Sequence, residues 1–137
     1  MKYLLVISCL LLVTDVIRAD EEVLEVLKEF AVPCAQENNI LPEEMPKFHD
    51  TELVGEDRNR FGCMKACIMK QTGILVGSEF QEDKYREVGV KIVGDEPDKI
   101  NTYTEQAKTC FEEAKSNTDE CELAFVFVSC VMSQTPA

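Results

Sequence analysis

The chain has 137 residues, with 14 basic side chains against 26 acidic ones, one histidine and no tryptophan. A net charge of −12 repels phosphate backbones and anionic lipid surfaces, which excludes nucleic acid as a partner; the surplus acid reads as solubility. The length suits one domain.

Met1-Lys2 is a short basic head, Tyr3 to Val13 is apolar apart from Ser8, and Arg18-Ala19 offers a small residue before Asp20-Glu21-Glu22. This is the pattern of a secretory signal peptide over 1–19, too short to span a bilayer. Cleavage removes Lys2, Arg18 and Asp15 and leaves a secreted, extracellular domain, 20–137, with net charge −13.

Helical periodicity then dominates. Val23, Leu24, Leu27, Phe30, Ala31 and Cys34 share a face behind an acidic first turn, and Pro33 is expected to break or kink this helix just before Cys34. Residues 41–45 read as a short helix with Pro42 at its first position and acids near its positive end, kept short by Pro46. A polar stretch over 49–59 leads into a helix over 60–71 that Gly73 can terminate. Ile74-Leu75-Val76 is an apolar connector, and Gly77-Ser78 turns the chain. The fourth helix, 81–93, carries Tyr85, Val88 and Ile92 on one stripe and stops at Gly94. Asp95-Glu96-Pro97-Asp98 starts the fifth, whose stripe is Ile100, Tyr103, Ala107, Cys110, Phe111 and Ala114. The sixth begins near Thr118-Asp119. Its run from Leu123 to Val128 is rich in residues that suit strands, but its cap-like start and length favour a buried helix. The fold class is all-α, a compact bundle of about six helices.

Cys9 falls in the leader, leaving Cys34, Cys63, Cys67, Cys110, Cys121 and Cys130. An even number in a short secreted chain reads as three disulfides. A zinc site would want a closer ligand pair and histidine partners; the closest cysteines here are C-x3-C, so no metal is expected. Cys63 and Cys67 lie one helical turn apart with nearly parallel side chains, so each should reach a different helix. Cys121 and Cys130 leave opposite faces of theirs. Six cysteines allow fifteen pairings, and the sequence alone selects none.

The spacing C-x28-C-x3-C-x42-C-x10-C-x8-C closely resembles the six-cysteine signature of insect odorant-binding proteins, the group that includes pheromone-binding proteins. The resemblance extends to the leader, the acidity and the helical layout. It implies disulfides Cys34–Cys67, Cys63–Cys121 and Cys110–Cys130 around an apolar cavity. It also implies a carrier of small hydrophobic ligands, a monomer or weak homodimer, with a membrane odorant receptor as a further partner. Non-olfactory carriers of the same family, which bind lipids, toxins or amines in haemolymph, venom, saliva or reproductive fluid, are the alternative. Counting from the matching cysteines, the pocket positions fall on Leu27, Met69, Ile74, Leu75, Ala107, Phe127 and Val131. Where some family members place a hydroxyl just after the third cysteine, this chain has Ile68 and Met69, so Tyr85, Tyr103 and Thr104 become the candidate polar contacts. The seven residues after Cys130 are too few for a separate stable helix, and one histidine excludes a multi-histidine proton switch. No catalytic residues and no cofactor are expected. His49 and Asp50 are adjacent in sequence and unsuited to working as a pair, and nucleophilic catalysis would want a positioned histidine base.

Overall fold

The computed structural model describes residues 28–134; the leader and Leu27 lie outside the described residues. Helix α1, described over 28–37, continues through Pro33 instead of breaking there. One missing donor is tolerated because the next turn is anchored: Cys34 and Ala35 are buried, and Cys34 is bonded to Cys67. The Asn38 side-chain amide donates to the Cys34 carbonyl (2.8 Å), and the chain leaves the helix at Asn39, where φ is +56°. The short second element is a 3-10 helix, Pro42–His49, longer than expected and continuous through Pro46. The Glu44 carboxylate accepts from the Leu41 amide (3.0 Å) and from Arg60. That guanidinium, with the Leu41 amide, holds the Glu44 carboxyl down to about 2.

Helix α2, Gly55–Gln71, begins five residues before the expected start. The polar stretch hid its first turn and a half, which are held by charge: Arg58 pairs with Glu122, and Arg60 bridges Glu44 and Asp57. Leu75–Val76 (β1) and Glu79–Phe80 (β2) form a two-stranded antiparallel hairpin, with Leu75 opposite Phe80 and Val76 opposite Glu79. Gly77, at φ +62°, supplies the left-handed residue that a two-residue hairpin turn requires. Helices α3 (Glu82–Val93), α4 (Pro97–Ala114) and α5 (Glu120–Gln134) follow. Asp119 caps α5, its carboxylate accepting from the amides of Cys121 (2.8 Å) and Glu122 (3.2 Å). The strand alternative for 123–128 is thus excluded. The bundle is all-α apart from the hairpin.

Helix α5 is apolar on several faces because it is packed on several sides. Ala124 and Phe127 join Ala66, Met69, Ile74, Leu75, Ala107, Cys110, Phe111, Ala114 and Leu123 in one buried cluster. Phe125 joins Cys34, Ala35, Ile40, Leu53, Phe61 and Met64 in a second. The α2–α5 crossing is tight enough that a Cβ on Gly62 would sit 2.4 Å from the Cys121 carbonyl oxygen. The adjacent Cys63–Cys121 bond closes the same crossing; Cys34–Cys67 ties α1 to α2, and Cys110–Cys130 ties α4 to α5. No described helix is long and apolar enough to cross a membrane.

Candidate functional site

Helix α3 has its apolar stripe in register, yet none of its residues is buried. An amphipathic helix normally presses such a stripe into a neighbour. Here the stripe faces a partly open cavity of about 220 Å³ formed with α4 and α5. Val88, Gly89, Ile92 and Val93 come from α3; Ile100, Tyr103, Thr104 and Gln106 come from α4; Val131 comes from the last turn of α5. Gly89 keeps the two walls close, since a Cβ there would lie 3.2 Å from Ile100 Cδ1. Tyr85 completes the lining, its ring tilted against Phe80 at 5.5 Å between centroids.

Among the described residues no charged side chain lines this cavity. Its polar atoms are three hydroxyls and the Gln106 amide. Thr104 is fully buried and spends its proton on the Ile100 carbonyl (2.6 Å), leaving only lone pairs. The Tyr85 amide donates to the Gln81 carbonyl (3.1 Å), but its hydroxyl has no hydrogen-bond partner among the described residues, and burial pushes its phenol pKa above the usual value. Two wider clefts, about 630 and 570 Å³, are rimmed by charge: Glu82, Glu105 and Lys108 in one, Lys70, Lys115 and Glu120 in the other. Their charged rims make them poorer hosts for an apolar guest than the first cavity.

Of the pocket positions expected from the sequence, Val131 lines the cavity. Met69, Ile74, Leu75, Ala107 and Phe127 stand behind it in the buried cluster, against which Tyr85, Val88 and Val131 pack. Val88, Gly89, Ile92, Val93, Ile100 and Gln106 were missed as site residues. A signal was present: the Tyr85-Val88-Ile92 stripe and the Ile100-Tyr103 stripe are read as helix faces, and the cavity lies where those faces meet. His49 and Asp50 are exposed, and no group of metal-ligating side chains occurs among the described residues.

A cysteine-stapled, all-helical bundle with an uncharged apolar cavity defines the class. Residues 18–134 match the PBP/GOBP family, and the chain belongs to it. It is similar to the pheromone-binding protein Gp-9 of Solenopsis globularia littoralis, 30% identical over 84 residues, covering 61% of this chain and 53% of that protein. The Gp-9 protein of Solenopsis xyloni is 28% identical over 85 residues, 62% of this chain and 54% of that one. The chain thus aligns with about half the length of these curated relatives. In structure it resembles the odorant-binding protein dmelOBP28a from Drosophila melanogaster, with a TM-score of 0.59, 24% identity, and coverage of 82% of this chain and 92% of that chain.

Proposed function

We propose that the protein is a secreted carrier, not a catalyst, that takes up a small hydrophobic molecule of odorant or pheromone type and moves it through extracellular aqueous fluid. One observation carries this reading: an uncharged cavity of about 220 Å³ between α3, α4 and α5, in a chain whose family includes pheromone-binding proteins. Val131 and Tyr85 contribute directly to the site; Met69, Ile74, Leu75, Ala107 and Phe127 back its wall, and Leu27 is proposed as a further lining residue. The leader pattern over 1–19, ahead of a single domain over 20–137, supports export.

Burial of apolar ligand surface drives the binding. Seven methylenes at about 0.8 kcal/mol each give roughly 6 kcal/mol, a dissociation constant between micromolar and millimolar before ordering costs. The test is displacement of a fluorescent apolar dye from the purified protein by a panel of volatile alcohols, aldehydes and esters. Displacement in that range supports the carrier. A protein that takes up neither dye nor any member of the panel does not carry such molecules. Export is read from the same expression: the full sequence should yield a product in the medium that begins at Asp20.

A further inference from the structure

We infer that the Tyr85 hydroxyl makes this cavity selective for compact, uncharged molecules that carry one hydrogen-bond acceptor, over hydrocarbons and carboxylates of equal length. The inference rests on the carrier reading and adds to it a ligand class and the residue that sets it.

Three features fix the class. Volume comes first: about 220 Å³ lies below the usual range of ligand pockets, which favours a compact guest. Charge comes second. With no lysine, arginine or histidine among the described lining residues, a buried carboxylate would lose its hydration and gain no counter-ion.

Donor count comes third. Thr104 has committed its proton to the Ile100 carbonyl. Tyr103 lies on the Lys99 side of α4, close enough for its hydroxyl to influence that ammonium, and Lys99 is exposed and paired with Glu96 (3.0 Å); this places Tyr103 at the rim. Gln106 and Tyr85 are both part-buried. Tyr85 differs in how it is held. Its ring is packed on Phe80 and held against the buried cluster, so its orientation is fixed. Its phenol stays protonated at neutral pH and has no partner among the described residues to give the proton to. A fixed, unspent donor on an apolar wall rewards a guest that brings a lone pair and gives a hydrocarbon nothing.

The experiment uses the fluorescent dye with three seven-carbon competitors: dipropyl ketone, heptane and heptanoate. The wild-type protein should bind the ketone three- to tenfold more tightly than heptane, the span of one hydrogen bond, and should bind heptanoate least. Tyr85→Phe keeps the ring and removes the donor. It should bring the ketone down to heptane's affinity and cost heptane less than it costs the ketone. Equal binding of ketone and heptane by the wild type, or equal losses of both in Tyr85→Phe, would overturn the role of Tyr85 while the carrier stands. Uptake of heptanoate as strong as that of the ketone would overturn the exclusion of charge. If none of the three binds and the dye is not taken up, the carrier reading falls and this inference with it.

Discussion

The two apolar clusters share α5 as a common wall and are built in opposite ways. On the Phe125 side, α1, the 3-10 helix and α2 close down on α5. Phe61, Met64 and Cys34 are fully enclosed, and Gly62 lets backbone approach backbone. Two of the three disulfides, Cys34–Cys67 and Cys63–Cys121, brace this side. On the Phe127 side the interior is packed as far as Ala107 and Phe111 and then gives way to the cavity. There α3, which contains no cysteine and buries no residue, forms the outer wall. Crosslinks and close packing are concentrated in the half without the cavity. The hollow half therefore has a rigid back and one comparatively loose helix, the place where local opening costs least.

Removing crosslinks should separate the halves most strongly. Cys63→Ala with Cys121→Ala releases a constraint across 58 residues, worth about 4 kcal/mol in the chain-entropy account, whereas Cys110→Ala with Cys130→Ala releases 20 residues and about 3 kcal/mol. Urea unfolding should rank them in that order. The dye should report the opposite ranking, because the second pair lies on α4 and α5, both cavity walls. A larger loss of dye binding from the first pair would show that the braced half, and not the cavity's own frame, sets the shape of the site.

The braced half also holds a buried lysine. Lys65 is 1% exposed, its ammonium lies 5.0 Å from the Phe48 ring and 4.6 Å from the Phe125 ring, and its Nζ has no hydrogen-bond partner among the described residues. Burial lowers its pKa to about 8, partly offset by the Asp50 carboxylate. The sign follows from linkage. The folded state releases this proton near pH 8 and the unfolded chain near 10.5, so the penalty is complete below pH 8 and fades as pH rises between the two. Stability in urea should climb from pH 8 towards 10. Above 10 the raised Tyr85 phenol works the other way, because its neutral form is the one the fold prefers. Lys65→Met should stabilise the protein by about 1–4 kcal/mol at pH 7 and flatten that climb. A destabilised variant would mean that the two ring contacts outweigh desolvation.

Much of this division was legible in the sequence. The helix faces, the cap at Asp119 and the glycine turn at Gly77 are short-range features, and helical and turn geometry dictate them directly. The start of α2 was obscured because Arg58 and Arg60 make their decisive pairs with Glu122 and Glu44, partners that only tertiary structure brings near. The break expected at Pro33 does not occur for a similar reason: its cost is local, and the bond and burial that offset it are not. The cavity was half visible. Positions counted from the cysteines led to Met69, Ile74, Leu75, Ala107 and Phe127, which touch the rigid frame and are therefore packed. The open space lies one layer further out, beneath a helix that no cysteine marks. Lys65 gave no warning, since a lysine between Cys63 and Cys67 reads as a solvated position until the 3-10 helix folds Phe48 over it.

The mildest test compares the two interiors by adding volume to each. Ala35 is buried in the braced half, beside Cys34. Ala35→Leu introduces three carbons among buried neighbours, which must leave their rotamers, at a cost of about 1–3 kcal/mol. Val88→Phe adds four carbons on the wall of about 220 Å³ of open space. Its new ring has room, and burying it recovers roughly what the helix loses in side-chain freedom, so stability should move by less than about 1 kcal/mol. Binding should behave inversely: the dye should be retained by Ala35→Leu and excluded from Val88→Phe. If both substitutions cost the same in urea and neither affects the dye, the space beside Val88 does not admit a guest in solution, and the contrast between a braced half and a hollow one fails.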